Sequence, residues 1–137
     1  MTLSNAAHEV IRLANRIREY WDIELPKRHP NYPVIKPSED DGPPPPEEAQ
    51  LRKFLENLPE DTIYELVLLM RLGFGDVDTG DLAGELRRLR DDHANPELAI
   101  SELMGTAPLG DYLFDGLETL RTEGIDVDDL LGHPAKP

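Results

Sequence analysis

The sequence contains no cysteine among its 137 residues. This absence excludes disulfide bonds, zinc–thiolate sites, iron–sulfur clusters and cysteine nucleophiles. No apolar run approaches the ~20 residues that cross a bilayer, so we expect no membrane partner. Arg12, Arg16 and Arg18 interrupt the apolar residues near the start of the chain. A secretory signal does not tolerate such interruptions, so we expect a cytoplasmic protein.

Basic residues are scarce, with 14 Lys and Arg against 28 Asp and Glu, and the formal net charge is −14. Nucleic acids are polyanions that bind basic surfaces, so this charge argues against direct nucleic-acid binding. It also favours solubility and discourages anionic partners. One alternative function follows from the charge itself, an acidic decoy that occupies a nucleic-acid-binding partner.

Residues 1–25 have the pattern of an N-terminal amphipathic helix. One apolar stripe recurs at alternating steps of four and three residues: Leu3, Ala7, Val10, Ala14, Ile17 and Trp21. Because proline cannot continue a helix, Pro26 predicts an end near Leu25. The stripe is too apolar to stay exposed, so we expect it to be docked on its own chain or on a second copy. A homodimer through this helix is the favoured arrangement.

Residues 26–46 hold eight of the 13 prolines and the acidic run at 39–41. This composition predicts a proline-rich acidic linker that is extended or disordered. The linker would join the N-terminal helix to a helical domain at residues 47–133, which a tail at 134–137 follows.

The domain at 47–133 shows helical periodicity and no sustained strand alternation. Residues 63–72 are apolar nearly all round, which predicts a helix at the centre of the core, closed by a left-handed cap at Gly73. Gly116 lies inside a later predicted helix, from residue 106 or 107 to about 123, where close helix packing would offset its cost. The fold class is therefore all-α, a small bundle of five to six helices plus an N-terminal helix on a proline-rich linker.

Local signals mark several helix ends. Pro46 suits a first helical position, and Asn95 followed by a proline predicts an N-cap. Gly124 predicts a Schellman ending in which Ile125 returns to the preceding helix. Asp126 then caps a short last helix that ends at residues 132–134.

Five short motifs occur in order along the domain: LPED at 58–61, YELVLLM at 64–70, LGFGD at 72–76, PLGDYL at 108–113 and GL at 116–117. They resemble a family of short, uncharacterised, mainly bacterial helical proteins catalogued as a domain of unknown function. The resemblance covers roughly residues 47–123. It implies a helical fold and a bacterial cytosolic setting, and it supplies no activity, ligand or catalytic residue.

Asp76, Asp78 and Asp81 lie between two predicted helices and are the candidates for a metal site. A calcium loop would need glycine where Asp81 stands and a bidentate acid where Arg87 stands. We therefore predict no metal here, and a polar turn in which Asp78 or Thr79 caps the next helix.

No histidine pair has the i, i+4 spacing of a metal site. His93 follows Asp91 and Asp92, which together could supply part of a metal site. A histidine at a helix C-terminus is more often a partner of the helix dipole, and that is our interpretation. No serine has a nucleophile-elbow setting, so no residue is predicted to be catalytic and no cofactor is predicted.

The leading functional hypothesis is a non-catalytic protein–protein interaction or regulatory protein with an unidentified protein partner. Its candidate partner-binding residues are the aromatics Tyr20, Trp21 and Phe74, because aromatic side chains are frequent interface anchors. The alternative is a small enzyme or small-molecule binder with a carboxylate-built site. A deep polar pocket with converging acids would favour that alternative.

Overall fold

The structure, a computed structural model, describes residues 2–28, 44–93 and 95–130. These residues form six α-helices: α1 (Leu3–Arg28), α2 (Pro46–Glu56), α3 (Glu60–Phe74), α4 (Leu82–Asp92), α5 (Pro96–Met104) and α6 (Leu109–Thr122). Short 3-10 helices lie at Thr79–Asp81 and Val127–Asp129. The described residues include no strand, and the predicted all-α class is confirmed.

Helix α3 is the centre of the core, as its apolar periphery predicts. Eight of its 15 residues are buried, and Leu66 and Leu69 are completely inaccessible to solvent. It packs against α6, α5, α4 and α1, and its acidic first turn also meets α4, where Asp61 accepts a hydrogen bond from Arg90. A helix surrounded in this way has little room for polar side chains, which explains its composition.

Two glycines let α3 and α6 approach backbone to backbone. A Cβ atom on Gly116 would lie 2.0 Å from the carbonyl oxygen of Leu69, and one on Gly73 would lie 1.9 Å from that of Tyr112. The predicted close approach at Gly116 is confirmed. The predicted cap at Gly73 is wrong, because α3 continues to Phe74 and ends at Gly75, whose φ is 84°. Packing against α6, not chain reversal, requires glycine at position 73.

Helix α1 continues through Pro26 to Arg28, so the predicted end at Leu25 is wrong. Pro26 lies in the last turn of the helix, where its missing N–H removes one hydrogen bond and the helical backbone geometry is kept. Residues 29–43 of the predicted linker lie outside the described residues, and Pro46 at its end is the first residue of α2.

The first half of α1 is docked on its own chain. Ala6, Ala7 and Val10 are completely buried, and α1 contacts α2, α6 and α3. At its start the backbone N–H of Ser4 donates a 2.9 Å hydrogen bond to the Asp128 carboxylate. The first half of the apolar stripe is therefore covered within one chain, and the homodimer stays a prediction.

Most helix-end signals act as predicted. Pro46 is the first residue of α2, and the Asn95 side chain accepts a hydrogen bond from the Leu98 N–H. Helix α6 starts at Leu109, after the predicted position, and Pro108 precedes it as N-cap without a side-chain hydrogen bond.

The chain after α6 follows the predicted Schellman ending. Gly124 has a φ of 71°, and the Ile125 N–H donates to the Leu120 carbonyl at 2.9 Å. Asp126 caps the next element, which is a 3-10 helix of three residues. The predicted end of that helix at 132–134 and the tail lie outside the described residues. Within the described ranges, no helix is both long enough and apolar enough to cross a membrane.

Candidate functional site

A surface cavity of about 530 Å³ lies between the second half of α1, the start of α2 and the connection from α5 to α6. This volume is within the range of ligand-binding pockets. Its wall is mostly apolar, and the side chains that form it are Ala14, Ile17, Trp21, Leu51, Leu103, Met104, Ala107, Pro108 and Leu109. Among the residues that the structure describes, its polar lining consists of Asn15, Arg18, Asp22, Glu48 and Thr106.

The cavity forms beside the second half of α1, where the residues of its apolar stripe are no longer fully buried. Ala14, Ile17 and Trp21 continue the spacing of the buried residues, yet they are only half-buried and face the cavity. Gly110 keeps α6 close to α1 at one edge, because a Cβ there would lie 2.4 Å from the Asn15 side-chain oxygen. The Thr106 hydroxyl donates to the Glu102 carbonyl at 2.7 Å and holds the α5–α6 connection against α5.

The charges at the cavity are mainly negative. Arg18 donates a 3.0 Å hydrogen bond to the Asp111 carboxylate, and both side chains are about half exposed. Asp111 also lies in the first turn of α6, where a carboxylate complements the helix dipole. Asp22 and Glu48 pair with no basic side chain among the residues that the structure describes.

The structure separates the three predicted partner-binding aromatics. Trp21 lines the cavity, and Tyr20 meets its ring edge-on with centroids 5.1 Å apart. Phe74 does not line the cavity. It packs on Tyr112 with ring centroids 4.0 Å apart and is 42% exposed.

Two of the three aspartates of the metal candidate, Asp78 and Asp81, have other roles. The Asp78 carboxylate accepts from the Gly80 N–H at 2.9 Å, and the Asp81 carboxylate accepts from the Gly84 N–H at 3.1 Å. Asp78 is therefore the N-cap of the 3-10 helix Thr79–Asp81, as one of the two predicted caps, and Asp81 is the N-cap of α4. In the parts of the chain that the structure describes, no three His, Asp or Glu side chains converge to hold a metal ion.

His93 belongs to a hydrogen-bond network that the sequence did not reveal. Its side chain is buried, with Nδ1 2.7 Å from the Leu89 carbonyl oxygen and Nε2 3.0 Å from the Glu102 carboxylate. Glu102 also accepts two hydrogen bonds from Arg71, at 3.0 and 2.8 Å. The contact with Leu89 is the expected role of a histidine at a helix C-terminus. Arg71, the single basic residue of α3, was the available signal for this network.

Hydrogen bonding decides the charge of Glu102. Burial alone would raise the pKa of this carboxyl, but the hydrogen bonds from Arg71 and His93 outweigh burial and hold its pKa below the usual value. The same contact with Glu102 raises the pKa of Arg71. Glu65 behaves in the opposite way, because burial and the nearby Asp61 raise the pKa of its carboxyl.

We expect the stabilising effect of Glu102 to disappear in acid. Because its folded-state pKa is depressed, its contribution is complete above the unfolded value of about 4.3 and is lost as pH falls through the folded pKa. The difference in unfolding free energy between wild type and Glu102→Gln should therefore shrink below about pH 4.3. Urea denaturation over a pH series measures it.

Glu65→Gln is the matched control for this measurement. The raised pKa of Glu65 means that the folded state binds its proton more tightly, so wild type should gain stability relative to this variant as pH falls. Parallel pH profiles for the two variants would contradict the assignment of the network.

The fold and the cavity define a class, an all-α protein whose described residues form six α-helices with an apolar surface cavity edged by carboxylates. A family model described as "Protein of unknown function (DUF3775)" matches residues 48–121, more than half of the chain. The chain belongs to this family, which confirms the resemblance inferred from its motifs. No curated protein and no solved structure matches the chain.

Proposed function

We propose that the protein is a non-catalytic interaction or regulatory protein that receives an apolar anchor of a partner protein in the cavity between α1, α2 and the α5–α6 connection. The observation that carries this proposal is the cavity itself, about 530 Å³ with a mostly apolar wall that includes Trp21. Trp is among the residues that dominate binding energy at protein interfaces.

The polar groups favour binding over catalysis. The side chains of His93, Glu102 and Arg71 are not part of the cavity lining, and they hydrogen-bond to one another. The groups that do line the cavity edge an apolar surface, as the polar rim of an interface does. The affinity for a partner would then come from burial of its apolar side chain in the cavity. The polar residues at the rim would orient the partner.

Filling the cavity should weaken partner binding. A peptide display library is selected on the full-length chain, and the enriched peptides are titrated against wild type and Ala14→Leu. The added side chain occupies cavity volume, so we expect affinity to fall by about tenfold or more. Trp21 is the single tryptophan and lines the cavity, so its fluorescence reports occupancy.

Ala83→Leu is the matched control, since Ala83 is an exposed residue of α4 outside the cavity lining. It should leave peptide affinity unchanged, and thermal melts should show that both variants are folded. Failure to enrich any peptide, or equal affinity for Ala14→Leu and wild type, would overturn the proposal.

A small-molecule binder is the second candidate, favoured by the cavity volume and by the carboxylates Asp22 and Glu48 at its lining. The same fluorescence assay with phenethylamine, an apolar amine, tests it. Saturable quenching that Ala14→Leu abolishes, with no peptide enriched, would support this candidate over a protein partner.

A further inference from the structure

The unbalanced charge at the cavity comes from two carboxylates on different helices. Asp22 is on α1 and Glu48 is in the first turn of α2, and both line the cavity. Arg18, the single basic side chain among the described residues of the lining, is already paired with Asp111. A bound group would therefore meet an apolar wall with two negative charges beside it.

The environment of these carboxylates strengthens their effect on a partner. An ion pair in bulk water gains little, but an apolar group seated in the cavity would displace water from its mouth and lower the local dielectric. Hydrogen bonds between a charged donor and a carboxylate are stronger than neutral ones. The net charge of −14 adds long-range attraction for a basic partner and repulsion for an acidic one.

We propose that the cavity binds a segment of another protein in which a bulky apolar side chain is flanked by Lys or Arg, and that Asp22 and Glu48 pair with the flanking cation. The apolar wall binds the bulky side chain. The two carboxylates favour peptide residues of positive charge beside it over residues of negative charge. This inference rests on the proposed function of the cavity.

The proposed preference for basic partners depends in part on residues of α1, which lie outside the family match. The match covers 48–121, which includes Glu48 and the cavity walls from α2, α5 and α6. Ala14, Ile17, Trp21 and Asp22 belong to α1 and lie outside it. The matched domain therefore supplies one wall and one carboxylate, and α1 supplies the other wall and the second carboxylate.

Three sets of synthetic peptides test the inference on the full-length chain. Each set contains peptides with Leu, Phe, Met or Trp at the central position. The sets differ only in the residues that flank it, which are Lys and Arg in the basic set, Ser in the neutral set, and Asp and Glu in the acidic set. Fluorescence anisotropy of labelled peptides gives the affinities at low and high salt. We expect the basic set to bind about tenfold or more tightly than the acidic set at low salt, with a smaller ratio at high salt.

The double variant Asp22→Asn, Glu48→Gln should reduce this preference to less than about threefold and leave the Ser-flanked set unchanged. The matched control is Asp91→Asn, Glu97→Gln, which changes the net charge equally at exposed positions outside the cavity lining. The control should keep the preference of the wild type.

The outcomes separate this inference from the proposed function. Binding that Ala14→Leu abolishes but that shows no preference for basic flanks overturns the inference and leaves the proposed function standing. Equal effects of the two double variants also overturn it, because net charge alone would then explain the preference.

If Ala14→Leu leaves the affinity for every peptide set unchanged, the proposed function itself is overturned. Charge-dependent binding of phenethylamine without binding of any peptide assigns the site to a small amine and overturns the inference.

Discussion

Replacing Gly116 with alanine is expected to destabilise the protein by about 3 kcal/mol, the upper end of the usual cost of overpacking. The new methyl carbon would lie 2.0 Å from the Leu69 carbonyl oxygen. That oxygen belongs to the backbone of the central helix, so no side-chain rotation relieves the clash. Helices α3 and α6 would have to move apart, and the apolar contacts between them would loosen.

Urea denaturation of wild type and Gly116→Ala measures this loss, with Gly80→Ala as the control. A Cβ on Gly80 would have 3.4 Å to its nearest neighbour, an ordinary contact, so its substitution should change stability by less than about 0.5 kcal/mol. Gly73→Ala should behave like Gly116→Ala, because its Cβ would meet the Tyr112 carbonyl. Equal stability of Gly80→Ala and Gly116→Ala would contradict the backbone contact between α3 and α6.

Truncating the centre of α3 should have an effect of similar size. Leu66→Ala and Leu69→Ala should each cost about 2–5 kcal/mol, the range for buried leucines that leave a cavity. Both side chains have a relative accessibility of 0%. Thermal and urea unfolding of the two variants provide the values.

Leu98→Ala removes the same atoms from a side chain that is 48% exposed, so it should cost less than about 1 kcal/mol. If both α3 variants also lost less than about 1 kcal/mol, α3 would not be the centre of the core.

Local sequence predicted those features that short-range geometry controls. Asn95 reaches the N–H of Leu98 three residues ahead, and Gly124 takes the left-handed conformation that lets Ile125 bond to Leu120. These contacts form within one or two turns, so residue type and spacing suffice to predict them. The same holds for the central position of α3, whose apolar residues leave almost no face for solvent.

The error at Gly73 occurs where a distant contact overrides local preference. Glycine is the residue type that often ends a helix, but Gly73 is required by its close contact with the backbone of Tyr112. Gly75 ends the helix instead. Proline is the residue type that often ends a helix, yet α1 continues through Pro26 to Arg28. A residue type alone does not distinguish a chain reversal from a close packing contact.

By itself, the sequence determined the all-α class, the central helix, most caps and the family, because periodicity and short-range hydrogen bonds are properties of neighbouring residues. Only the tertiary structure decided the cavity and its charge. Trp21 and Asp22 of α1, Glu48 of α2 and Met104 of α5 become neighbours through helix packing, and no spacing along the chain encodes their distance. The network of Arg71, His93 and Glu102 has the same origin, since three helices each contribute or precede one of its members. Residues far apart in sequence meet only after the core has fixed the positions of the helices that carry them.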